Sequence, residues 1–170
     1  MTVLVADTSG LVSLGTAVNH APNPLDLCLD VYDVHVPTIV VDELRESASY
    51  ADAHGNAATA VLDREDAVSV TAVTLDADFP LDDGENAAVT LANDLDAALF
   101  LCDEFNSVGL IHASLADTRL VTTPTLLSVF VRTEQLPSMD AIEILEAISA
   151  ARSWESNSYV QRAQALLNDE

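Results

Sequence analysis

Two short runs, Thr2–Ala6 (TVLVA) and Ala97–Cys102 (AALFLC), are apolar almost throughout, and each stops on an aspartate, Asp7 and Asp103. A strand with one wet face alternates between apolar and polar residues. A run without alternation is covered on both faces. Helices crossing over a parallel sheet provide that cover, so these runs predict strands of a parallel α/β sheet. Such sheets take ligands at the carboxyl ends of their strands, which is where Asp7 and Asp103 fall.

The rest of the chain supplies the alternation of strands and helices that such a sheet requires. Asp33–Pro37 (DVHVP), Ala67–Val73 (AVSVTAV) and Arg119–Thr122 predict three more strands. Helical spacing runs over Gly10–Val18, Leu25–Tyr32, Thr38 to about Tyr50, Asn56–Asp63, Glu85–Asp94 and Glu104–Leu115. Three further helices follow Pro124: Thr125–Glu134, Ser138–Ser153 and Ser158–Asn168. The apolar stretch Ile142–Ala151 within them suits a core better than an interface. With 170 residues, 49% of them hydrophobic, the chain suits one domain over 1–170, with a core to about 134 and a helical extension over about 138–170.

Charge narrows the chemistry. There are 28 acids against six arginines, with no lysine, for a net charge of −22. The acids are spread through periodic, apolar-rich segments, which predicts a folded chain with a heavily solvated surface rather than an acidic tail. Molar salt would screen the self-repulsion, so a salt-loving host is the expected source. A phosphate-binding P-loop needs a lysine, and a response-regulator receiver domain normally uses one, so both classes are excluded. No run is long and apolar enough to cross a membrane. Asp7 interrupts the first apolar run too early for a signal peptide. Cys28 and Cys102 match no metal or redox spacing and read as buried thiols in a reducing cytoplasm.

Asp7 and Asp103 lose solvation at the ends of buried strands, and no basic residue lies near either in sequence. A hard divalent cation, Mg²⁺ or Mn²⁺, would satisfy such carboxylates and could activate water for phosphodiester hydrolysis. Without it, one carboxylate of the cluster should show a raised pKa. Glu43, in VVDEL, and Glu85, in DDGEN, each sit in the first turns of a helix. An acid there also complements the helix dipole, a structural role open to Glu85. Asp82 and Asp83 read as solvated loop charge, Asp83 with a capping role open to it. His20, His35, His54 and His112 share no ligand spacing and read as structural or surface residues. DTSG at residues 7–10 lacks the elbow of a serine nucleophile. A haloacid-dehalogenase pattern would need an aspartate where Ser9 stands.

In order, VLVADTSGLVSL, VHVPTIVVDEL, DDGENAAVTLAND and LFLCDE resemble the PIN-domain ribonucleases. The nearest branch is the one related to VapC-type toxins, with a Gly-Glu-x-x-Ala-x-x-Leu-Ala pattern. The resemblance spans roughly Val3 to Thr133, and the helices over Ile142–Leu167 look like that branch's C-terminal extension. It implies a three-layer α/β/α sandwich with a parallel sheet of about five strands and extra C-terminal helices. It also implies Mg²⁺ or Mn²⁺ held by Asp7, Glu43, Glu85 and Asp103, and hydrolysis of RNA that leaves a 5′-phosphate. By the same resemblance, Ser9 would hold a water of the metal or a phosphate oxygen. A homodimer and an antitoxin inserting a basic residue into the acidic site are the protein partners it suggests.

The chain departs from the branch where Glu104 replaces a second aspartate, and where Asn106 or Ser107 stands for an arginine. Val121-Thr-Thr-Pro-Thr lacks a glycine usual there. These departures and the scarcity of basic residues favour the alternative, a non-catalytic PIN-like module that binds RNA or protein. Among the six arginines, Arg119 is the first expectation for contact with RNA, on its chain position near the carboxyl side of the sheet. Arg45 reads as a surface partner of Asp42 or Glu46.

Overall fold

The computed structural model describes residues 1–169; residue 170, the last of the expected domain, lies outside them. Five parallel strands form one sheet: β1 (Val3–Ala6), β2 (Asp33–Pro37), β3 (Ser69–Thr71), β4 (Leu99–Leu101) and β5 (Arg119–Val121). Their order is β3-β2-β1-β4-β5. The chain therefore works outward from β1 to one edge, then returns to place β4 on the other side of β1. Ala6 pairs with Leu101 in register, so Asp7 and Cys102–Asp103 leave adjacent strands side by side. This reversal of strand order opens the crevice that α/β sheets use for ligands.

Both faces of the sheet are covered, as the unalternating runs require. Leu4, Ala6 and Leu101 pack into one apolar layer, and Val5, Phe100 and Cys102 into the other. The first layer takes side chains from α1 (Thr8–Gly15), α2 (Pro24–Val31), α3 (Thr38–Ala48) and α4 (Ala53–Leu62). The second is closed by α5 (Asp83–Asp94) and α6 (Val108–Ser114). The expected three-layer α/β/α architecture is thus present. The strands β3, β4 and β5 are only three residues long, shorter than the apolar runs suggested. Of their apolar flanks, Ala97 is buried outside the strand, and Cys102 is buried just past β4 with its N–H donating to the Val121 carbonyl at 3.0 Å.

Three more helices, α7 (Thr123–Arg132), α8 (Ser138–Arg152) and α9 (Ser158–Asn168), complete the first layer. Ile144, Leu145 and Ile148 of α8 are buried in the same cluster as Leu11 and Leu14 of α1. The apolar stretch Ile142–Ala151 is therefore core. Cys28 and Cys102 are buried and free. No helix among the described residues is long and apolar enough to cross a membrane.

Helix starts are set by capping more than by periodicity. Asp7 leaves β1 in an extended conformation (φ −86°, ψ 162°) and is itself the residue before α1. The helix accordingly begins two residues ahead of the expected Gly10. Asp82, not Asp83, caps α5, its carboxylate accepting from the Glu85 N–H at 2.8 Å. The expected helix over Glu104–Leu115 divides into a 3₁₀ turn at Phe105–Ser107 and α6.

Candidate functional site

At the carboxyl ends of β1 and β4 lies a cavity of about 250 Å³. Asp7 reaches it from β1, Glu43 from α3, Glu85 from α5, and Glu104 from the turn after β4. Asp82, the α5 cap, and Ser9 also line it. Three of the four acids expected from sequence therefore share one space. Asp7 and Glu85 are buried, at 4% and 7% exposure.

The electrostatics follow from that burial. Desolvation, aided by the charge of Glu43, pushes the Asp7 carboxyl up to about 7, against the opposing pull of the Thr8 N–H, Cys102 and Ser9. Desolvation first, then the charges of Asp82 and Asp7, raise Glu85 to about 7 as well. Glu43 is also raised, chiefly by burial, with the acids around it adding to the effect. Each of these carboxylates is held back from ionising by low solvation and by its neighbours.

Local packing fixes the group. Ser9 donates to Asp7 Oδ2 at 3.2 Å and accepts from the Asp103 N–H at 2.9 Å, tying the ends of β1 and β4 together. Thr8 donates to Glu43 Oε1 at 3.2 Å. Gly84 presses against the same carboxylate. A Cβ on Gly84 would lie 2.2 Å from Glu43 Oε1, so the glycine of the Gly-Glu pair is the space that Glu43 occupies.

Asp103 is placed differently. Its carboxylate accepts from the Thr123 N–H at 2.7 Å and from the Thr123 hydroxyl at 2.6 Å. Both oxygens are thus engaged by the first residue of α7, and the side chain does not line the cavity. Its pKa is raised by burial, with the Thr123 bonds opposing. The acid that does face the cavity from this segment is Glu104, the very residue marked in the sequence as a departure. Glu104 is the neighbour of a strand-terminal aspartate, and that adjacency was the signal available for it.

Arg119 is not at this cavity. It opens β5, paired with Leu99 at the amino end of β4, whereas the acids gather at the carboxyl ends. The guanidinium that lines the acidic cavity belongs to Arg152, the last residue of α8. Its Nη1 donates to His54 Nδ1 across 3.2 Å, and its Nε is buried without a hydrogen-bond partner among the described residues. An arginine only donates, so His54 accepts through Nδ1. Neither residue could be placed here from sequence, because α4 and α8 meet only in the fold. Arg45 pairs with Asp42 at 3.9 Å and, closer, with Glu65 at 3.2 Å.

The chemistry of Asp7, Glu43 and Glu85 fits a hard divalent cation, since desolvated carboxylates are hard oxygen donors. The fit is one of chemistry and not of preset distances. Among the described residues, no three acidic, histidine or cysteine side chains stand close enough to hold an ion as they are.

A family model described as a PIN domain matches residues 3–169. No curated protein and no solved structure matches the chain.

Proposed function

The chain belongs to the PIN-domain family, a family of nucleases that generally act on RNA with divalent metals, and on that premise we propose that it is a metal-dependent endoribonuclease. The observation that carries this reading is that Asp7 and Glu85, both buried, and the half-buried Glu43 line one strand-end cavity, the first two pushed up to about 7. In the proposed site Asp7, Glu43 and Glu85 hold Mg²⁺ or Mn²⁺, with Glu104 in reach. Asp103 acts through its backbone and Thr123 to keep the β4 end in place. A bound divalent cation supplies charge stabilisation at the phosphate and a water acidic enough to hydrolyse it. Ser9 orients the Asp7 carboxylate, and Arg152 presents the one guanidinium of the cavity to a phosphate oxygen.

The proposal extends to a toxin restrained by an antitoxin that offers a basic side chain to the acidic cavity, working in the reducing cytoplasm of a salt-loving host. Co-purification of a small basic partner would support that extension. A second reading, a non-catalytic RNA- or protein-binding module, is favoured by one observation: the carboxylates do not converge on an ion site as they stand.

The two readings separate in one assay. RNA is incubated with the protein in high KCl and Mn²⁺, beside Asp7→Asn and Glu85→Gln. Cleavage by the parent alone supports the enzyme. Equal cleavage by all, or by none while Mn²⁺ fails to raise the parent's melting temperature, would sink it.

A further inference from the structure

A second cavity, of about 370 Å³, runs between β5, α7 and α9. Arg119, Arg132 and Arg162 all line it, with Tyr159, Thr125 and Ser128, and no carboxylate among the described residues lines it. In a chain with 28 acids and six arginines, that grouping is selective. Arg45 and Arg64 are spent on ion pairs with Asp42, Glu65 and Asp26, and Arg152 faces the acidic cavity. The other three have no acidic partner within 4.0 Å among the described residues and sit together, exposed. Unpaired guanidiniums beside hydroxyl donors are the chemistry of phosphate recognition.

Tyr159 adds a platform. Its ring stacks on Phe105 with centroids 5.8 Å apart and planes 11° from parallel. The residue is 54% exposed, so a ring face remains for a base. Phe105 follows Glu104, which lines the acidic cavity. The residue on which Tyr159 stacks is thus the chain neighbour of a residue of the acidic site. Cations tracking a backbone, next to an aromatic on which a base can stack, are the features of single-strand binding.

We infer that the groove of Arg119, Arg132, Arg162 and Tyr159 binds the phosphate backbone of single-stranded RNA and feeds it toward the acidic cavity. This rests on the ribonuclease reading for the nature of the strand, but not for its measurement. The groove lowers the local repulsion that the rest of the surface opposes to a polyanion. It also returns Arg119 to RNA contact, at a site remote from the acids.

The test is fluorescence anisotropy with a labelled 12-nucleotide single-stranded RNA in EDTA, where nothing is cut, across a series of KCl concentrations. Arg119→Gln/Arg132→Gln/Arg162→Gln should bind at least tenfold more weakly. Its slope of log affinity against log salt should be shallower by about 2, roughly 0.7 for each lost phosphate contact. The corresponding triple lysine variant should keep the slope, and Tyr159→Ala should weaken RNA while leaving inorganic polyphosphate unaffected. Unchanged affinity and slope in the triple glutamine variant would overturn the inference. So would a dimer that becomes a monomer in that variant while RNA binding stays the same, since the groove would then be a protein interface. Groove-dependent binding without cleavage would leave this inference standing and remove the nuclease reading. Cleavage and binding that ignore all three arginines would do the reverse.

Discussion

Burial holds the Asp7 carboxyl at about 7, which links its chemistry to a cost in stability. The unfolded chain releases this proton at about pH 4. Between those values the native state keeps a proton that the unfolded state has lost. Stability from this group is therefore fully present below about pH 4 and is lost as pH rises to 7. Asp7→Asn should raise the melting temperature by several degrees at pH 7.5 and leave it nearly unchanged at pH 4, as differential scanning fluorimetry would show. Cleavage should fall at least 100-fold. Mn²⁺ should stabilise the parent at pH 7.5, where the carboxylates ionise, and have little effect at pH 4. Thr123 offers a complementary case. Thr123→Val removes the hydroxyl donor from a buried carboxyl at nearly constant shape, which costs about 1–3 kcal/mol. For a chain of this size that corresponds to roughly 3–10 °C of melting temperature. Gly84→Ala should fold but lose at least tenfold in kcat, because the added Cβ displaces Glu43. Asp7, Glu43 and Glu85 were legible in the sequence because Asp7 ends a strand, Glu85 sits in the first turn of α5 and Glu43 in the second turn of α3. Glu104, Arg152 and the inward turn of Asp103 were not, because side-chain direction depends on what packs opposite.

At the scale of elements, α5 shows how one turn serves the site. Asp82 caps the helix, Gly84 makes room for Glu43, and Glu85 enters the cavity. Asp82 also adds charge that raises both Glu85 and Glu43. The two roles separate by substitution. Asp82→Asn keeps a capping oxygen and removes the charge, so stability at neutral pH should hold or rise. Asp82→Ala loses the cap and should cost about 1 kcal/mol. Chemical denaturation at pH 7.5 reads both. Helix positions followed from apolar spacing to within a few residues, and α9 matched in full. The two misplaced starts follow extended residues that precede the helix, Asp7 by backbone conformation alone and Asp82 with its carboxylate on the Glu85 N–H, which composition alone does not reveal. β3 is exposed along its length, so its seven-residue sequence pattern promised more strand than an edge position sustains.

Over the whole molecule, a net charge of −22 on 170 residues opposes compaction. Raising KCl from 0.1 to 2 M shortens the screening length from about 10 Å to a few ångströms. The melting temperature should rise steeply over that range, and faster than it does when sucrose is used instead. A flat response would remove the case for a salt-loving host. The parallel sheet and its two covers were readable because unalternating strands have one explanation. The groove of arginines was not, since residues 119, 132 and 162 lie on three elements with no common spacing.

The strand order also has a temporal side. The acidic cavity draws Asp7 from the first strand, Glu43 and Glu85 from two later helices, Glu104 from beyond β4, and Arg152 from the end of α8. Since β1 is completed on one flank by β2 and on the other by β4, a growing chain cannot close the crevice until residue 101 has emerged. It cannot furnish the guanidinium until residue 152 has done so. The carboxylates and the guanidinium of this cavity thus come together only after residue 152 has been made.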